Sequence, residues 1–188
     1  MNNLKNIKEI LDFGTIKEKI QVLESLSSTD NLEIIQGMIA KLDDEDIQVR
    51  GEAFSSLVLN ENKISDLLID SLNSEKKNIR GYASLVLANR NDLNAIPAII
   101  DLTYDQSSMV RACALGALSY LKAKEAKETI QNHLLDSNLE VRKSALQAMI
   151  NLGYSLSEDK IKEIFREKDS ELEELLINVK KESGPKGI

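Results

Sequence analysis

Apolar residues recur at helical spacing along most of the chain. Residues 4–13 place Leu4, Ile7, Ile10 and Leu11 on one face of a predicted helix. Gly14-Thr15 interrupts it, and 16–26 carries a second stripe of Ile16, Ile20, Leu23 and Leu26. Ser27 to Asp30 reads as a turn and N-cap signal. Further amphipathic stretches are predicted at about 31–42, 47–60, 64–72, 78–89, 94–104, 108–121, 125–135 and 139–152. Pro97 falls near the start of one of them, where a missing N–H costs nothing. Ser157 opens another, with Ile161, Ile164 and Phe165 as its stripe, and Leu172, Leu175, Leu176 and Val179 mark a last helix.

One stretch recurs. Val110-Arg111 is followed by Ala114 and Leu118. Val49-Arg50 leads in the same way to Ala53 and Leu57, Ile79-Arg80 to Ala83 and Leu87, and Val141-Arg142 to Ala145 and Met149. The four arginines lie 30, 31 and 31 residues apart. A fixed period of this size is the mark of stacked helical repeats, each burying its apolar side against the next. The alanines let neighbouring helices approach closely. Ile16-Lys17, 33 residues before Val49-Arg50, is taken as a worn first copy. Glu174 and Leu175 stand at the Val-Arg positions of the last helix, whose Glu171, Glu173 and Glu174 suit a solvent-facing cap. The expectation is a single repeat domain over 1–182, with degenerate caps at about 1–30 and 155–182 and a flexible tail at 183–188.

The turn Asp136-Ser137-Asn138-Leu139-Glu140-Val141-Arg142, followed by Ala and a large apolar residue, resembles the short HEAT-like repeat of phycobilisome lyase-type proteins. The resemblance covers about 31–152 well and both ends loosely. It implies an all-α fold, an α–α superhelix (HEAT-like solenoid) of about five helix pairs. It also implies that the second, B helix of each pair lines a concave side where ligands bind.

The recurring arginines have a structural reading. Asp44, Asp105 and Asp136 precede Arg50, Arg111 and Arg142 at a matched distance, and Ser74 takes that place before Arg80. A ladder of charge-assisted hydrogen bonds from each arginine to the turn of its own or the next repeat accounts for both residue types.

Composition narrows the function. The formal net charge of −7 opposes binding to nucleic-acid phosphates or an anionic membrane surface. Cys113 is the only cysteine, so no intrachain disulfide or cysteine-based zinc site is expected. No segment approaches the roughly 18 apolar residues of a membrane span. The N-terminus lacks the apolar run of a signal peptide, and a cytoplasmic location is expected.

Catalytic chemistry finds little support. His133 is the only histidine and is followed by Leu134, so the His-Glu pairs of the di-iron hydroxylases in the wider family are missing. It is expected at a surface or boundary. Cys113 occupies a slot filled elsewhere by Glu52, Tyr82 and Ser144. The carboxylates at 43–46 lack the glycine and glutamate spacing of a calcium loop. No metal and no cofactor are expected.

What remains is surface. Positions two, five and nine after each motif arginine fall on one broad helical stripe. They comprise Glu52, Ser55, Leu59, Tyr82, Leu85, Asn89, Tyr120, Ser144, Gln147 and Asn151, together with Cys113 and Gly116. Tyr82 and Tyr120 are the natural anchors, since tyrosine is enriched at binding hot spots. The competing reading packs Tyr120 and Leu59 against the neighbouring repeat. The expected function is a non-catalytic scaffold or adaptor that binds a protein or peptide on the concave face. An accessory subunit of a lyase-type enzyme that handles a cofactor or chromophore is the alternative.

Overall fold

The computed structural model describes residues 2–156 and Ile164, which is helical and buried. The expected helices after Ser157, the acidic cap and the tail otherwise lie outside the described residues. Among the described residues there are ten α-helices and no strand. Five are the first, A-type members of their pairs: α1 (Asn2–Phe13), α3 (Leu32–Ala40), α5 (Ser65–Ser71), α7 (Ile96–Leu102) and α9 (Lys127–Asn132). Five are B helices: α2 (Ile16–Ser25), α4 (Ile47–Leu59), α6 (Lys77–Asn89), α8 (Ser108–Tyr120) and α10 (Leu139–Asn151). The chain divides into two compact units, Met1–Ile99 and Ile100 onward.

The A helices after α1 are shorter than the apolar pattern suggests. Single 3₁₀ turns follow α3 (Lys41–Asp43), precede α7 (Leu93–Ala95) and flank α9 (Lys124–Ala126 and His133–Leu135). Periodicity does not distinguish such a turn from a helical one, because both keep the same apolar residues inward. From α4 onward every B helix has 13 residues.

Capping side chains mark the starts of α2, α3, α4 and α10. Asn31 accepts from the N–H groups of Glu33 and Ile34 and so starts α3, after the expected signal at Ser27 to Asp30. Asp46 and Asn138 cap α4 and α10 in the same way. Thr15 and Glu18 form a capping box at α2. That box corrects the register of the first repeat. The N-caps Thr15 and Asp46 are 31 residues apart, so Lys19, not Lys17, holds the arginine position. Ile16, read as part of a core stripe, is 47% exposed. A terminal repeat covers only one side, so its apolar signature is relaxed while its cap survives.

The other ends of three B helices share a geometry. Asn91, Lys122 and Gly153 have φ of 54°, 53° and 68°. At each, the next residue's N–H reaches back to the carbonyl five residues earlier: Asp92 to Leu87, Ala123 to Leu118 and Tyr154 to Met149. These are Schellman closures, and only the last uses glycine. The fourth end is closed differently. Arg90 Nη1 donates to the carbonyls of Leu57 and Asn60, and its Nη2 to that of Asn62 at 2.9 Å, at the C-terminus of α4.

The motif positions form the core. In the first unit Val49, Ala53, Leu57, Ala83 and Leu87 are fully buried; in the second, Val110, Ala114, Leu118, Val141, Ala145 and Met149. In the first unit A helices stack on A helices (α1 on α3, α3 on α5) and B on B (α2 on α4, α4 on α6). In the second, α8 packs along α10.

His133 is buried, not at the surface or boundary as expected. Its Nδ1 lies 2.8 Å from the Thr129 carbonyl oxygen and its Nε2 2.7 Å from that of Thr103. The Tyr104 ring lies 5.2 Å away, centroid to centroid. A single polar residue beside Leu134 carries no sign in the sequence that the fold will offer it two carbonyls.

Lys122 is a non-glycine residue in the left-handed region, a conformation that costs it about 1–2 kcal/mol. Lys122→Gly should therefore raise stability by about 0.5–1 kcal/mol after glycine's extra unfolded-state entropy, read from chemical denaturation.

Candidate binding groove and the arginine ladder

Each motif arginine is the fourth residue after its N-cap. From there it reaches back over its own turn. Arg50 Nη1 donates to the main-chain oxygens of Asp44 (2.8 Å) and Glu45 (3.0 Å). Arg80 donates likewise to Ser74 (2.7 Å) and Glu75 (3.1 Å), Arg111 to Asp105 (2.9 Å) and Gln106 (3.4 Å), and Arg142 to Asp136 (2.7 Å). The acceptor on the arginine's own turn is thus a main-chain carbonyl. The carboxylates shape the turn itself. The Oδ1 atoms of Asp44, Asp105 and Asp136 accept from the N–H two residues on, at 3.1, 2.7 and 2.8 Å. Ser74 Oγ does the same at 3.2 Å, which is why serine can stand there.

The same carboxylates join successive repeats. In the second unit Asp136 receives Arg111 Nε and Nη2, both at 2.8 Å, in a bidentate pair. In the first, Asp44 receives Lys19 Nζ at 2.9 Å, with both side chains largely buried. Burial works against ionisation of Asp44 and Asp136. It is outweighed by the hydrogen bonds from Lys19 or Arg111 and from the turn N–H, so both carboxyls titrate below the usual range. The hydrogen bond to Asp136 likewise pushes Arg111 up.

The outward stripe is placed as follows. In the first unit Glu52 is half-buried and accepts from Ser56 Oγ at 3.0 Å. Exposed Ser55 and Asn89 bond within their own helices, to the carbonyls of Gly51 and Leu85. Leu59 is 67% exposed. Tyr82 and Leu85, both half-buried, share one groove of about 270 Å³ between α4 and α6. Its other walls are Ile47, Arg50, Gly51 and Phe54, none of which was in the predicted binding set. α4 contributes Ile47, Arg50 and the positions one and four after that arginine, and α6 contributes the positions two and five after Arg80. A side chain built on Gly51 would meet nothing within 4 Å, so this wall is open.

In the second unit Tyr120 is 60% exposed, against the reading that it only packs on a neighbouring repeat. Ser144 is half-buried. Exposed Gln147 donates to Asn151 Oδ1 at 2.8 Å, and Asn151 donates to Ser119 Oγ at 3.0 Å. Burial pushes the Cys113 thiol up to about 11, so it is protonated and unreactive at neutral pH. Among the described residues no group of three or more His, Cys, Asp or Glu is arranged to hold a metal ion, and no helix is long and apolar enough to cross a membrane.

The depressed carboxyls set an acid limb of stability. A folded pKa below the unfolded value adds stability above about pH 4 that is lost as pH falls through the folded value. The melting temperature should hold from pH 7 to 5 and drop below about pH 4. Asp136→Asn should lower it at pH 7 and flatten that drop, as read by thermal melts across pH.

A profile of HEAT repeats matches residues 65–150 and 96–176, together more than half of the 188 residues. No curated protein matches the sequence at a significant level. Among solved structures, the complex of CpcE and CpcF of phycocyanin lyase from Nostoc sp. PCC7120 is similar at a TM-score of 0.68 and 19% identity, covering 80% of this chain and 99% of that one. YibA of E. coli is similar at 0.66 and 20%, covering 94% and 70%. A designed armadillo repeat protein in complex with the peptide (KR)4 is similar at 0.55 and 17%, covering 96% and 99%. At these identities the likeness shows the fold, an all-α repeat of the solenoid class with about five helix pairs. The chain is a member of the HEAT repeat family.

Proposed function

We propose that this protein is a non-catalytic interaction scaffold that binds a protein or peptide on the outward stripe of its B helices. The observation that carries the reading is the groove between α4 and α6, where Ile47, Phe54, Tyr82 and Leu85 bring apolar surface to solvent. Ile47 is 72% exposed at the start of its helix. Exposed apolar surface with an aromatic anchor is the composition of a binding hot spot. Glu52, Ser55, Leu59 and Asn89 continue the stripe in the first unit, and Tyr120, Ser144, Gln147 and Asn151 supply that of the second. Arg50, Arg80, Arg111 and Arg142, with Asp44, Asp105 and Asp136, hold the turns. Supporting a peptide ligand, a repeat protein of similar fold is known in complex with (KR)4. The acidic balance of this chain disfavours nucleic acid and anionic membrane as partners. We place the protein in the cytoplasm.

The alternative, an accessory subunit of a lyase-type enzyme, draws on the similarity to the CpcE and CpcF complex. The two readings separate on one experiment. Tagged protein should capture a colourless, stoichiometric protein partner, and Tyr82→Ala with Tyr120→Ala should lose that partner at an unchanged melting temperature. Capture that survives the double substitution would remove the stripe assignment. A pigmented eluate would favour the alternative.

A further inference from the structure

We propose that Arg50 and the α4–α6 groove together bind the C-terminal carboxylate and apolar last side chain of a peptide. This deepens the scaffold reading and rests on it.

The ladder is interrupted at Arg50. Lys19 has Asp44 25 residues on, and Arg111 has Asp136 at the same distance; both carboxylates are engaged. The turn that follows Arg50 carries Ser74 at the equivalent place, with the repeat one residue shorter. Ser74 has no carboxylate, and its hydroxyl already serves the turn. Arg50 Nη1 is held by the carbonyls of Asp44 and Glu45. Among the described residues, its Nε and Nη2 donate to no acceptor. These are the same two donors that Arg111 gives to Asp136. Arg50 therefore offers a planar two-donor edge on a side chain whose orientation is already fixed, the arrangement best matched by a carboxylate.

The rest of the groove selects what carries that carboxylate. Arg50 lines it together with Ile47, Phe54, Tyr82 and Leu85, and Gly51 leaves one wall open. At about 270 Å³ it falls just below the ~300–1,000 Å³ of drug-sized ligand sites, a size suited to one or two side chains. A C-terminal residue presents a carboxylate and a side chain from one Cα, so both reach one compact site. The net charge of −7 repels an acidic stretch but tolerates a single terminal carboxylate.

The test uses the full-length protein with ¹⁵N-labelled arginine side chains and an NMR titration of N-acetyl-leucine. The Arg50 Nε–Hε and Tyr82 ring signals should move together. N-acetyl-leucinamide and acetate should each bind at least about tenfold more weakly, the first lacking the charge and the second the side chain. Ser74→Asp, which restores the missing carboxylate, should abolish the response without lowering the melting temperature. Arg50→Lys, which keeps the charge but not the fork, should weaken it by about tenfold. Equal binding of acid and amide would overturn the proposal, as would no response at Arg50 and Tyr82 or undiminished binding by Ser74→Asp. Acetate binding as tightly as N-acetyl-leucine would mark a general anion site and overturn the apolar half. The scaffold reading fails separately, if partner capture ignores Tyr82 and Tyr120.

Discussion

The hydrogen bond from each motif arginine to the carbonyl six residues earlier is the constraint on which the rest depends. It ties the start of a B helix to the turn that delivers the chain from the A helix. Because the acceptor is main chain, the lock does not depend on which residue occupies the turn. Asp44, Asp105, Asp136 and Ser74 all present the same oxygen. A charged donor on a partly buried carbonyl is worth more than a neutral pair, and the cost of leaving that oxygen unmet is avoided.

With the turn fixed, the side chain at its first position is free for a second task. As aspartate it receives the cation of the preceding repeat, Arg111 in one unit and Lys19 in the other. At the far end of the B helices, three Schellman closures and the Arg90 cap settle the carbonyls. Both ends of each B helix from α4 onward are thereby determined by the repeat, and the buried face by its Ala and large apolar positions. The outward positions between them are left free to vary. The groove with Tyr82 and Phe54, and the uncommitted edge of Arg50 beside it, use that freedom.

Much of this was legible in the sequence because it recurs. The Val-Arg-x-x-Ala pattern located every B helix from α4 onward to within about a residue at each end, and the matched Asp and Arg spacing pointed to the turn. Single events were harder. The register of the first repeat was missed because Lys19 follows Glu18 rather than an apolar residue; the Thr15-x-x-Glu18 box was the usable signal. The burial of His133 depends on a contact with a residue distant in sequence. The groove walls Ile47, Gly51 and Phe54 were missed because a stripe was drawn along each helix, whereas a groove lies between two. Tyr82 and Leu85 fell inside it because they lie on the side of α6 that meets α4.

The most direct measurement compares two double-mutant cycles for stability, one on Arg111 and Asp136 and one on Arg50 and Ser74. A closed rung should show coupling of about 1–3 kcal/mol between Arg111 and Asp136, as expected for a largely buried, charge-assisted pair. The open rung should show coupling near zero between Arg50 and Ser74. Similar coupling in both cycles would mean that Arg50 is already committed to the next repeat, and the account of a ladder opened at one place would be wrong.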